Sequence, residues 1–304
     1  MSRRKQILGW TFGVLGAALA ATGLYTYHVY SAMEQTLHSV HQPVKRQAAE
    51  QVRPEPVVMQ RQDPISVLVL GVDKRSGDKG RSDSMLLVTV NPAKATTKVV
   101  SIPRDSYAEI AGQGRRDKIN HAYAYGGVAA AMSTVEKFLN VPIDYYVEMN
   151  MDGFRDVVDA VGGITVDNLF PFSYEGSTFQ KGSIQLNGEE ALRYARMRKE
   201  DPNGDFGRQE RQRKVLEAVV RKGADFSSFA NIDEVLAAVQ KNVRTNLTAA
   251  DMYTLQRDYR QAADNIEQVQ MPGDGRMLGH VWYYMVPEET RRQVSRQLRE
   301  HLQM

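Results

Sequence analysis

Residues 67–105, VLVLGVDKRSGDKGRSDSMLLVTVNPAKATTKVVSIPRD, decide how the chain is read. Three short apolar runs lie in this stretch: 67–70 ending at Gly71, 85–90 closed by Asn91-Pro92, and 98–102 stopped by Pro103. Short apolar runs bounded by turn residues predict buried strands. Charged residues crowd their ends. Gly71-Val72-Asp73-Lys74-Arg75 follows the first run, Arg81-Ser82-Asp83-Ser84 precedes the second, and Pro103-Arg104-Asp105 follows the third.

Working outward, Gly126-Gly127 is expected to open a helix with Val128, Met132, Val135 and Leu139 on one stripe, ending before Pro142. Residues 145–149 alternate like a strand, 153–161 read as a short helix, and 164–166 as a strand after Gly162-Gly163. Helical patterns cover 206–222, 232–243 and 249–263, a late strand covers 266–271, and Pro287 starts a final helix with Val294, Leu298 and Leu302 on one stripe. Strands interleaved with helices predict an α/β fold, a mixed central sheet with helices on both faces.

Ahead of this domain, residues 7–30 contain no Asp, Glu, Lys or Arg. As a helix they would span about 36 Å, enough for a hydrocarbon core of roughly 30 Å. Arg3-Arg4-Lys5 precedes the span and Glu34 is the first charge after it, so the N-terminus is expected in the cytoplasm and the domain outside. Trp10 at one end and Tyr25, Tyr27 and Tyr30 at the other suit the two interfaces. Ala18-Leu19-Ala20 resembles a signal-peptidase site, but the apolar character continues past it. A retained anchor is the expectation. Residues 31–64, polar and punctuated by Pro43, Pro54 and Pro56, read as a stalk, with His28, His38 and His41 as linker residues and not metal ligands. The organisation is thus 1–6 cytoplasmic tail, 7–30 anchor, 31–64 stalk and 65–304 exported domain.

Charge and composition exclude several classes. The chain of 304 residues carries a formal charge of +3, and residues 1–61 hold seven Lys or Arg against three Glu. The basic excess of four therefore belongs to the N-terminal segment and leaves the domain at −1. A net-negative domain without a basic helix does not suit nucleic acid. The absence of cysteine removes disulfide scaffolds, zinc ribbons, thiol nucleophiles and Fe–S clusters. P-loop, nucleophile-elbow and zincin motifs are missing as well.

What remains is a set of Asp and Arg at strand ends, joined by Arg196, Arg198 and the segment 205–212, DFGRQERQ. Ligands of α/β sheets bind in crevices beyond strand ends. Two carboxylates among several guanidiniums suit a magnesium-bound phosphate or pyrophosphate, because Mg²⁺ takes one or two carboxylates plus phosphate oxygens and Arg grips phosphate bidentately. Each residue also has a plainer reading: Asp73 as a turn residue, Arg196 and Arg198 as a solvated helix face with Asp201 and Asp205, and His121 as a hydrogen-bonded structural residue.

The stretches VLVLGVDKR, GRSDSMLLVTVNP, VVSIPRDSY, DKINHAYAYGG, VPIDYYVEMNMDGF, VDAVGGI, LNGEEALRYARMRK and GDFGRQERQRKVL, spread over residues 65–222, resemble the LytR–CpsA–Psr family of cell-wall assembly proteins. The resemblance implies an Mg²⁺- or Mn²⁺-dependent phosphotransferase. It would move an anionic glycopolymer, wall teichoic acid first among the options, from undecaprenyl pyrophosphate to the C6 hydroxyl of N-acetylmuramic acid in peptidoglycan. Asp73 and Asp83 would hold the metal. Arg81, Arg104, Arg196, Arg198 and Gln212 would grip the pyrophosphate, with Arg75 and Lys118 as neighbours. The base is open among Asp73, Asp83 and Asp105. An apolar tunnel for the prenyl chain would draw on residues such as Met85, Phe138, Tyr145, Phe154, Val158 and Leu216, which read more readily as ordinary core. A lipid pyrophosphate hydrolase and a non-catalytic binder that scaffolds or regulates wall assembly are the alternatives. The implied location is the outer face of a Gram-positive cytoplasmic membrane.

Overall fold

A computed structural model describes residues 27–44, 53, 55–73, 80–198, 200–224 and 232–304. Most of the expected anchor, together with Arg75, lies outside the described residues. Among those residues no helix is long and apolar enough to cross a membrane.

A helix over 27–40 (α1) leads to β1 (Ile65–Asp73), β2 (Arg81–Asn91) and β3 (Thr96–Ser101), then to the hairpin β4 (Tyr107–Ile110) and β5 (Arg115–Lys118). Helix α2 (His121–Leu139), β6 (Tyr145–Asn150) and α3 (Met151–Ala160) follow, then β7 (Ile164–Asn168), β8 (Phe172–Tyr174), β9 (Ser177–Phe179) and β10 (Gly182–Leu186). The chain continues through α4 (Gly188–Arg196), α5 (Asp205–Ala224), α6 (Ile232–Asn242), β11 (Val243–Thr245) and α7 (Ala249–Asp258). It closes with β12 (Ile266–Val269), the hairpin β13 (Asp274–Leu278) and β14 (Val281–Met285), and α8 (Glu288–His301).

The central sheet has six strands in the order β11-β6-β1-β2-β3-β12. It is mixed: β1 pairs parallel with β6 and antiparallel with β2, while β3 pairs parallel with β12. Alternation along β1 separates its two faces. Leu68, Leu70 and Val72 pack with Met132, Val135 and Leu139 of α2 and with Val294 and Leu298 of α8. On the opposite face Ile65 and Val67 pack with Met252 and Leu255 of α7, and a separate core joins α3, α4, α5 and the small strands β7–β10. Helices therefore cover both faces, as the interleaved pattern implies.

Several boundaries differ from the sequence reading. Helix α2 begins at His121, and Gly126-Gly127 interrupts it instead of opening it, with Gly127 at φ +63° where a side chain would be strained. The helical pattern 249–263 splits into α7 and a 3-10 turn, Arg260–Ala263. Five of the six residues offered for a tunnel lie in or against packed cores. Met85 and Phe138 lie in the α2/α8 core, Phe154 and Val158 in the α3–α5 core, and Tyr145 against the α7 cluster.

The described part of 31–64 is packed, not a free spacer. Thr36 and Val40 are buried, His41 bridges to Thr245 at the sheet edge, and the Gln42 amide donates to the Thr245 carbonyl at 2.6 Å. Arg53 Nε lies 3.0 Å from Asp144 Oδ1, and Met59 is buried in the α7 cluster. Polar composition hides this because the segment docks through isolated side chains and main-chain groups, which leave no hydrophobic period.

Candidate active site

One end of the sheet collects the C-terminal ends of β1 and β3 and the start of β2. Arg81 and Asp83 lie inside β2 and not in the loop before it, because ladder pairing with β1 continues beyond the apolar run. Pairing runs Gly71↔Ser84, then Val72↔Ser82 and Asp73↔Arg81, so Asp83 is the extra residue of a β-bulge. Bulges bend a strand and re-aim a side chain. Here Asp83 Oδ1 accepts from Arg104 at 3.0 Å and from Asn120 Nδ2 at 3.3 Å.

Register explains how Arg104 arrives. Leu86 pairs with Ser101, the Ile102 amide donates to the Met85 carbonyl at 2.9 Å, and the chain then runs on beside Asp83. Arg104 Nε stands 3.7 Å from Asp105 Oδ2, and Lys118 Nζ 2.6 Å from Asp105 Oδ1. The Asn120 amide donates to the Arg104 carbonyl at 3.2 Å. Asp83, Arg104, Asp105, Lys118 and Asn120 thus form one connected cluster, with side chains about a quarter exposed at Asp83 and Arg104. Asn120 is a member that the sequence reading passed over. Its only signal was its place between Lys118 and His121 in DKINH.

Beside it, Asp117 Oδ2 accepts from His121 Nδ1 at 3.0 Å and from the Tyr125 hydroxyl at 2.8 Å. Burial pushes the Asp117 carboxyl up, yet the His121, Tyr125 and Lys118 hydrogen bonds outweigh it and hold the pKa below the usual carboxylate value. His121 is hydrogen-bonded, as expected.

The later segment reaches the cluster through aromatic contacts. The Tyr284 amide donates to the Asp105 carbonyl at 2.9 Å, and the Tyr284 ring meets Phe206 of α5 at 5.6 Å. A cleft of about 370 Å³ separates Ser101 and Met271 at the sheet end from Phe206, Gln209 and Arg213 of α5. Arg196 and Arg198 are exposed and Gln212 is half-buried. No hydrogen bond or ion pair described for these three joins them to Asp83 or Arg104. Arg211, unassigned by the sequence reading, is buried, as are Arg208 and Arg213. Its Nε donates to the Tyr194 carbonyl at 2.9 Å, and its other nitrogens meet the Met197 carbonyl and Asp201. It fixes the backbone of Arg196-Met197-Arg198 from below.

Asp73 and Asp83 would each offer carboxylate oxygen, the hard donor type that Mg²⁺ takes. No group of three or more His, Asp or Glu that could hold a metal occurs among the described residues.

Sequence comparison then sets the class. A family model for the LytR_cpsA_psr family matches residues 26–300, and the chain belongs to that family. It is similar to the polyisoprenyl-teichoic acid–peptidoglycan teichoic acid transferase TagU of Bacillus cereus (strain AH820), 50% identical over 302 residues that cover 99% of each chain. Among solved structures, B. subtilis TagU matches with a TM-score of 0.66 at 48% identity, over 79% of this chain and 97% of that one. TagT bound to LIIa-WTA matches with a TM-score of 0.72 at 33% identity, over 86% and 100%.

Proposed function

We propose that the protein transfers an anionic glycopolymer, wall teichoic acid, from undecaprenyl pyrophosphate to the C6 hydroxyl of N-acetylmuramic acid in peptidoglycan. The observation that carries this is the Asp83–Arg104–Asp105–Lys118–Asn120 cluster, aimed by a bulge at one end of the sheet. The 50% identity to a peptidoglycan teichoic acid transferase supports the choice of reaction.

In this reading the acceptor oxygen bonds to the sugar-linked phosphorus and the P–O bond to the departing undecaprenyl phosphate breaks. The hydroxyl proton passes to a base, for which Asp73, Asp83 and Asp105 are the carboxylates at this end. Arg104 and Lys118 stabilise charge on phosphate oxygens, and Arg81, Arg196, Arg198, Gln212 and Arg75 surround the remaining oxygens when donor binds. Asn120 and Asp83 keep Arg104 oriented. Asp73 and Asp83 would hold Mg²⁺ or Mn²⁺, which would supply charge neutralisation on the pyrophosphate. Residues 7–30 anchor the domain on the outer face of the cytoplasmic membrane, where the donor lipid resides.

The test is a product assay with purified protein, lipid-linked donor and peptidoglycan. The expected products are glycan-linked polymer and undecaprenyl phosphate in equal amounts. Free phosphorylated polymer without a glycan link would instead mark a hydrolase. Donor binding without turnover would mark a scaffold.

A further inference from the structure

The β13–β14 hairpin exposes Met277, Leu278, Val281 and Trp282 at its end, a concentration of large apolar side chains in six consecutive positions. Its two-residue turn is opened by Gly279 at φ +62°, as tight hairpins require. Met277 lies opposite Trp282, and Leu278 opposite Val281. Directly opposed residues share a face and neighbouring pairs take opposite faces. The tip is therefore apolar on both sides. A single partner surface would cover one side only.

One level back, Arg276 lies opposite Tyr283, and Lys118 Nζ sits 5.9 Å from the Tyr283 ring. Two cations thus stand behind the apolar end, with Asp274 a further step away at the base of the hairpin. The indole of Trp282 folds over Gly275, where a side chain would collide with it. Tyr284, two residues behind Trp282, is hydrogen-bonded to the Asp105 carbonyl. At about 3.4 Å per residue, the apolar tip stands roughly 7–10 Å along the strand from the candidate site.

We infer that this tip enters the boundary between headgroups and acyl chains of an anionic lipid bilayer, with Arg276 and Lys118 at headgroup level. Amphipathic elements bury their apolar parts about 5–10 Å into that boundary. The spacing then holds the Asp105 turn level with lipid headgroups, the height at which the pyrophosphate of a membrane-embedded polyprenyl donor lies. The inference rests on the proposed use of such a donor, and the charge-free segment 7–30 gives an independent reason for the domain to sit at a bilayer.

The experiment reads depth and needs no turnover, so it can fail independently of the proposed reaction. The chain has two tryptophans, and Trp10→Phe leaves Trp282 alone. The full-length variant is reconstituted in phosphatidylglycerol–phosphatidylethanolamine vesicles with or without dibrominated acyl chains. The expected result is about two-fold quenching of Trp282 by the brominated lipid and protection from aqueous iodide, as for an indole at the 5–10 Å level. Adding Leu278→Ser and Val281→Ser, with an unchanged circular dichroism spectrum, should restore iodide access. Three results would overturn the inference: an iodide-accessible indole insensitive to bromine, quenching unaltered by the two serines, or protection conferred by soluble peptidoglycan strands and not by lipid.

Discussion

Two arginine–carboxylate groups in this protein have the same chemistry and opposite surroundings. Arg104 and Asp83 are paired with side chains 25% and 27% exposed, and they share that pairing with Asp105, Lys118 and Asn120. Arg211 and Asp201 are paired with side chains 5% and 1% exposed, roofed by the Phe172 and Tyr194 rings. The first group is open enough to exchange partners when an anion arrives. The second has every direction occupied by carbonyls, a carboxylate and aromatic faces. A partly exposed pair contributes about 0–1 kcal/mol to stability, whereas removing one partner of a buried pair costs about 3–5 kcal/mol. Burial, not residue type, separates the proposed binding cluster from a brace.

That contrast should break most visibly at the proposed metal ligands. Asp73→Ala combined with Asp83→Ala, or chelation of divalent ions from the wild type, should reduce polymer transfer to background in a radiolabelled product assay while the unfolding transition persists. Full activity in chelator would remove the metal from the first group. Next, Arg104→Ala should lower the transfer rate by about 10²–10³-fold, the loss expected for one donor to a developing oxyanion. Its unfolding free energy from urea titration should fall by no more than about 1 kcal/mol. Arg211→Ala should show the reverse emphasis, a loss of about 3–5 kcal/mol in urea unfolding from stranding Asp201.

Acid separates stability from the site in another way. His301 is buried between Thr89 and Thr96, each 2.8 Å from a ring nitrogen, and burial with Lys98 and Lys94 nearby lowers its pKa to about 4. A depressed folded-state value contributes stability above the unfolded value near 6.5, lost as pH falls through 4. Wild-type stability should therefore decline by up to about 3 kcal/mol across that window. His301→Gln should flatten the slope without altering the pH profile of transfer. The smallest effect is expected at Gly207, whose position leaves no room for a Cβ against Asp201. Gly207→Ala should cost about 1–3 kcal/mol by crowding the brace, measured by thermal unfolding.

Much of the fold was legible because its strands are apolar runs between turn residues. The 67–70, 85–90 and 98–102 runs all lie within observed strands or their immediate ends, and their antiparallel order put Asp73, Asp83 and Arg104 at one end. The bulge that aims Asp83 was not legible, since an extra residue in a ladder has no composition of its own. Arg211 was hidden for a related reason. In GRQERQRKV it is one charge among several, and only the packing of α4 on α5 buries it. Hairpin β13–β14 escaped because its apolar residues face outward, so they carry no alternation toward a core. The docking of 31–64 was masked by polar composition, although Arg53 and Met59 are among its anchors.

A crystal structure of the protein with a polyprenyl pyrophosphate and Mg²⁺ would test the site most directly. The expected result is a diphosphate within hydrogen-bond distance of Arg104 and Lys118, with a metal between Asp83 and the phosphate oxygens and Arg211 still on Asp201. A diphosphate seated elsewhere, with the Arg104–Asp83 pair undisturbed and no metal at Asp83, would contradict it.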